Sequence, residues 1–168
     1  MLKDATTRHR TEEVMAALAR TERLYMAARS LISPNDPHAV LQVTAETVSR
    51  ALPASGVTVV TFAPGMTSVA DWARTPPEPA GQWAPALAEL TAGLPGWVVE
   101  HNQPILTAKS AADPRETAQE QRRRAEKDIG SQIIAPLAAG ERVLGLLMAT
   151  NRRSERDFAR ADMHLVTG

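Results

Sequence analysis

The sequence contains no cysteine. That removes disulfides, thiolate metal sites, thiol nucleophiles and thioether-linked chromophores together, and nothing about the composition points to secretion. Net charge is missing too. Nineteen Lys and Arg residues balance nineteen Asp and Glu residues, so no overall field draws the chain to nucleic acid, acidic membrane or another polyanion, and a partner must be found by shape. No stretch approaches the roughly 18 consecutive apolar residues of a membrane span. The N-terminus runs through Lys3, Asp4, Arg8, His9 and Arg10 with no apolar core behind it, unlike a signal peptide, so the expected location is cytoplasmic.

Chemistry-bearing patterns are equally scarce. His9, His38, His101 and His164 fall on different segments, and no pair has the spacing of three or four that puts two ligands on one helix face, so neither a metal nor a haem is expected. There is no serine elbow, phosphate loop or framed pair of carboxylates, so no catalytic residue is assigned and enzymatic activity is not expected. Arg122, Arg123 and Arg124 form a basic spot, but Glu116, Glu120, Glu126 and Asp128 surround it and no aromatic interleaves. It reads as a solvated helix face rather than a nucleic-acid contact.

What is present suits one globular domain: 168 residues, 43% of them apolar, enough for a single core of ordinary size. From Thr11 to Ile32 the apolar or small positions Val14, Leu18, Thr21, Tyr25, Ala28 and Ile32 alternate spacings of four and three, the seam of a packed helix. The seam is short for a coiled coil, so it packs either on its own domain or across a homodimer, and Val14, Leu18, Tyr25 and Ile32 are the dimer candidates. Residues 1–33 are therefore set apart as an N-terminal signalling or dimerisation helix, with one domain over 34–168.

Asp36 before Pro37 predicts an N-cap and first turn, followed by a helix with Val40, Leu41, Thr44, Val48 and Leu52 on its buried side. The period then shifts to two. Val57 to Phe62 and Met66 to Ala73 predict a hairpin around Pro64 and Gly65, and the proline-rich Thr75 to Pro85 predicts an exposed connection. Short helices follow at Pro85–Leu90 and Pro95–Glu100, and a brief strand at Pro104–Thr107. A polar helix opened by Asp113 and Pro114 runs to Lys127 with almost no large apolar residue, so it should bury little and depend on a ligand for its order. Ser131–Ala138 and Arg142–Thr150 are the strongest strands, and a last helix carries Phe158, Ala161, Leu165 and Val166. This order does not alternate as βαβ units do, which predicts an α+β fold with an antiparallel sheet and flanking helices.

Three pieces in this order carry a family resemblance: Gly96, Trp97 and Val98 leading to Gln103, Pro104 and Ile105; Asp113, Pro114 and Arg115; and Ser131 through Pro136 and Leu137 to Gly145, with Asn151, Phe158 and Asp162 before the last helix. Over roughly Ala27 to Val166 the chain resembles a GAF domain, the ligand-sensing module of bacterial sensor kinases, diguanylate cyclases, phosphodiesterases and transcriptional regulators. The resemblance implies a profilin-like central antiparallel sheet with helices on both faces. The end helices lie on one face and a pocket on the other, roofed here by Pro85 to Lys127. It also implies a last helix longer than this chain provides, and an output domain in the parent protein.

Within that frame Trp72, Trp83 and Trp97 either stack on a flat ligand or pack in the core. Asp113, Arg115, Asp128 and Ser131 fall where GAF domains often place polar pocket contacts, and Arg115 with backbone amides suits a carboxylate or phosphate; the alternative is a solvated loop. Asn151, Phe158 and Asp162 resemble the signature of cyclic-nucleotide-binding GAF domains, but Arg152 and Met163 depart from it, and the three residues equally suit pinning the last helix. Relatives that attach a bilin through cysteine, or reduce methionine sulfoxide with one, are excluded, so no cofactor is expected. The expected function is sensory: a small ligand or partner orders the roof and biases the terminal helices. A ligand-free homodimerisation module is the alternative.

Overall fold

A computed structural model describes residues 36–79 and 83–167. The helix expected at Thr11–Ile32, with its dimer candidates Val14, Leu18, Tyr25 and Ile32, lies outside the described residues.

Pro37, whose fixed φ suits the first helical position, opens helix α1 (Pro37–Ala51). Its buried stripe is Leu41 and Ala45, continued by Leu52 just past its end, with Val48 partly buried against the same core. Val40, expected on this stripe, is 44% exposed. It sits about 100° around the helix from Leu41, and the small Ala45 takes the inward place, letting the helix lie close to the sheet.

Strand β1 (Gly56–Phe62) follows, then a 3-10 turn at Pro64–Met66, then β2 (Val69–Thr75). β2 begins three residues later than the expected Met66, because Gly65 and Met66 both take positive φ (73° and 53°) and cannot continue a strand. Helices α2 (Leu87–Leu90) and α3 (Gly93–His101) lead to the short β3 (Ile105–Thr107).

The polar helix α4 spans Ala118–Glu126 rather than starting at Pro114. Asp113 instead closes a local turn, its carboxylate accepting the Arg115 backbone N–H at 3.0 Å. The helix starts after Thr117, whose hydroxyl accepts the Glu120 N–H while the Glu120 carboxylate accepts the Thr117 N–H. That reciprocal cap satisfies two otherwise orphaned donors and fixes the start.

Strands β4 (Ile129–Ala139) and β5 (Arg142–Arg152) form a long hairpin turned at Gly140, whose φ is +62°. Helix α5 (Arg160–Thr167) closes the described chain. Phe158, expected on this helix, precedes it, and of the others Ala161 and Leu165 are exposed while Asp162, Met163 and Val166 turn toward the core. Asp162 sets this phase by accepting the Ala159 N–H at 2.7 Å and an Arg156 donor at 3.1 Å.

The strands form one sheet in the order β2-β1-β5-β4-β3, every neighbouring pair antiparallel. Alternate side chains feed two cores. Val57, Val59, Ile133, Leu147 and Ala149 meet α1 and Phe158 on one face. Val60, Ile105, Ile134 and Leu146 meet Leu90 of α2 and Leu94 and Val98 of α3 on the other. Helices thus cover both faces, as the order of elements requires.

Candidate functional site

The second face of the sheet is not filled to its edge. Beyond the cluster around Val60 and Leu146, a cavity of about 310 Å³ separates the sheet from α2, the start of α3 and α4. Its floor is Gln132 and Ile134 of β4 and Met148 of β5, and Trp83, Leu90 and Pro95 supply apolar wall. Thr117, Glu120, Arg123 and Arg124 supply the roof.

That roof holds no apolar anchor. The one buried side chain of α4 is Arg124, 6% exposed. Its guanidinium pairs with Glu116 and donates to the carbonyls of Ala108 (3.0 Å) and Gly130 (2.9 Å), tying the helix to the ends of β3 and β4. Glu120 reaches out of its cap to accept the Leu94 N–H at 3.0 Å. Arg123 pairs with Glu89 of α2 at 2.5 Å. Burying so little apolar area, α4 owes its position to charge-assisted hydrogen bonds. Glu89 Oε2 and Arg124 Nε are buried without a partner among the described residues.

The Glu120 bridge depends on a glycine. Gly93 has φ +56°, and a Cβ built there would lie 1.8 Å from the Glu120 carboxylate. Gly93→Ala should therefore expel Glu120 and strain the start of α3, costing about 2 kcal/mol from the left-handed backbone and the lost cap together. Urea denaturation, with amide exchange of residues 118–126 as a local readout, checks this; exchange as slow as in the wild type would contradict it.

The six pocket candidates do not converge on this cavity. Trp97, Asp113 and Arg115 come together on the far side of the roof. Arg115 grips both Asp113 oxygens (2.8 and 2.7 Å) and lies 4.5 Å above the Trp97 ring, which stacks on His101 at 4.3 Å. Trp97 and Arg115 line a separate open groove there. Trp72 is half-buried against the second core, edge-on to Trp83 at 5.7 Å. Asp128 is exposed in the turn before β4, with φ +52°.

Ser131 faces the opposite side of the sheet and is fully buried. Its N–H and hydroxyl meet Asn151 Oδ1 (2.8 and 3.2 Å), and its oxygen accepts the Phe158 N–H at 2.8 Å. Asn151 also donates to the Arg156 carbonyl. Asn151, Phe158 and Asp162 are thus occupied in holding the approach to α5, away from the cavity. Gln132, Glu89, Glu120 and Arg124 were not singled out by the sequence as cavity residues. The Thr117-x-x-Glu120 spacing of a capping box was the one available signal.

The hydrogen bonds from the Arg115 side chain hold the Asp113 carboxyl below its usual range; burial opposes this, and the Arg115 backbone N–H and charge, with Arg124, assist. A carboxyl whose folded pKa is depressed contributes stability above its unfolded pKa and loses it as pH falls through the folded value. The stability difference between wild type and Asp113→Asn should therefore shrink as pH drops through the acid range. Urea midpoints at stepped pH read it out, and a difference that grows on acidification would contradict the assignment.

Among the described residues no three His, Asp or Glu side chains gather as metal ligands, and no helix is long and apolar enough to cross a membrane. Among curated proteins no sequence match is found. The fold is shared with the GAF domain of a phosphoenolpyruvate-protein phosphotransferase from Coxiella burnetii (19% identity, 91% of this chain and 85% of that one, TM-score 0.67). It is shared also with the corresponding Acinetobacter domain (16% identity, 90% and 84%, TM-score 0.64). A third similar structure is residues 122 to 287 of a methyl-accepting chemotaxis protein (18% identity, 85% and 87%, TM-score 0.64). The GAF domain family model matches residues 36–168, most of the chain and every element described above, and the chain belongs to the GAF domain family.

Proposed function

We propose that this domain is a sensory, regulatory module of a bacterial signalling protein, without catalytic activity of its own. A small molecule enters the cavity between the sheet and α4, and the change is passed to an output domain such as a histidine kinase or diguanylate cyclase. The observation that carries the reading is the contrast between the two sides of that cavity. The floor is a hydrogen-bonded sheet backed by a full apolar core, whereas the roof is a helix with no buried apolar side chain.

A ligand shifts such a balance only by the difference in its affinity for the ordered and loosened roof. Ligand contacts to Thr117, Glu120 or Arg123 would favour the ordered roof. The way out runs through β4, since Arg124 holds the Gly130 carbonyl and the next residue, Ser131, holds the segment leading into α5. Its absence of cysteine sets the chain apart from thiol-dependent members of the fold. The test is mass spectrometry of small molecules released from the purified protein, followed by amide exchange with and without the molecule found. Protection rising in residues 118–126 supports the reading. Equal exchange in both states, or a roof already as protected as the sheet, rejects it.

A further inference from the structure

Resting on the reading of the cavity as a ligand site, we propose that its ligand is an uncharged ring compound carrying an amide-type edge, one hydrogen-bond donor beside one acceptor, as in a lactam or cyclic imide. The charged and polar groups that meet the cavity set this class. Four ionised residues line it: Glu89, Glu120, Arg123 and Arg124. Each already has its charge answered by a partner, although Glu89 Oε2 and Arg124 Nε keep no hydrogen-bond partner of their own among the described residues. Glu89 and Arg123 answer each other. Arg124 is taken by Glu116 and two carbonyls. Both Glu120 oxygens accept backbone N–H groups, from Leu94 and Thr117.

An anion or cation entering this space would shed its hydration without finding a free counter-charge, or would have to break one of these pairs and leave its partner buried and unpaired. Arg115, the guanidinium the sequence offered for a carboxylate or phosphate, is forked onto Asp113 and does not line the cavity. A neutral ligand meets neither cost.

Gln132 supplies the complementary polar group. It stands on the cavity floor between Ile134 and the roof, half-buried, and its side-chain amide makes no hydrogen bond to any described residue. A primary amide presents one N–H and one C=O side by side, which a lactam edge matches with two bonds. Thr117 is engaged in its cap and Gln119 is exposed, while Trp83, Leu90, Pro95, Ile134 and Met148 give apolar and aromatic wall that suits the body of a ring. A volume near 310 Å³ is at the small end of ligand clefts, which run from about 300 to 1,000 Å³.

The test uses the full 168-residue chain, labelled with ¹⁵N, and three probes that share a fused two-ring body: quinolin-2-one, naphthalene-2-carboxylate and 2-naphthylmethylammonium. Quinolin-2-one is expected to move the Gln132 side-chain amide and the Trp83 indole signals, and the two charged probes to bind more weakly there. Gln132→Leu, which removes no bond of the free protein, should weaken quinolin-2-one about tenfold, the worth of one net amide pairing, while the dispersed spectrum is kept. A charged probe that binds these residues more tightly overturns the inference and leaves the ligand cavity standing. Quinolin-2-one affinity unchanged in Gln132→Leu overturns it as well. No movement of these signals by any of the three overturns the cavity reading and the inference with it.

Discussion

Arg124→Met is expected to destabilise the domain by about 3–5 kcal/mol, the usual consequence of stripping one partner from a buried ion pair. The substitution keeps the apolar stem of the side chain but removes every donor that meets Glu116 and the Ala108 and Gly130 carbonyls. The Glu116 side chain has no exposed surface, so its carboxylate would be left buried with the Asp113 N–H as its remaining partner among the described residues. Arg124→Met/Glu116→Leu removes the stranded charge together with its cause, and should recover a large part of the loss. The two single losses should thus exceed the double loss, a coupling of more than about 1 kcal/mol. Urea denaturation of the four proteins reads this cycle. Additive losses, or a single loss under about 1 kcal/mol, would show that the guanidinium does not hold the roof.

Gly145→Ala should be as damaging for a different reason. Gly145 lies in the middle strand, opposite Thr61 of β1 and Leu137 of β4. A Cβ at this position would sit 2.1 Å from the Val60 carbonyl oxygen and 3.1 Å from the Thr61 Cα. Both obstacles belong to backbone, and β5 cannot move aside because its other edge is paired to β4. The pairing with β4 is already irregular beside this position, between Leu137 and Ala138, a local break in the ladder at the point of close approach. The expected cost is about 3 kcal/mol or more, at the upper end for overpacking a core. Thermal unfolding measures it, and a melting temperature within about 2 °C of the wild type would contradict so tight an approach.

The two substitutions probe parts of the molecule that differ in how far the sequence announced them. The strands were legible because their signal is local: Val57–Phe62 and Ser131–Ala138 alternate faces every second residue, and Gly140 marks the turn of the long hairpin. The start of α4 was not. Asp113 followed by Pro114 is a sound helix-start signal, and so is Thr117 followed by Glu120. They stand four residues apart and local propensity does not separate them. A contact from elsewhere does: Leu94, 26 residues from Glu120 in sequence, adds a third partner to the Thr117 cap, while Arg115 holds Asp113 in a local turn.

The arginine run shows the same division. Residues 122, 123 and 124 look alike in sequence, yet each is rotated by about 100° from the last. One turns outward, one pairs with Glu89 across the cavity and one is buried between two strand ends. The pocket candidates fared similarly: Ser131 lies one residue from Gln132, and strand alternation puts the first against α5 and the second in the cavity.

By itself the sequence determined the fold class, the family and the lack of thiol chemistry, because periodicity, turn residues and composition act over short spans of chain. Which polar side chains are buried, which face of α4 meets the sheet and which residues surround the cavity were decided only in the tertiary structure. A charge can be buried only where partners from distant segments offset its lost hydration, and those partners meet only once the sheet has brought them together.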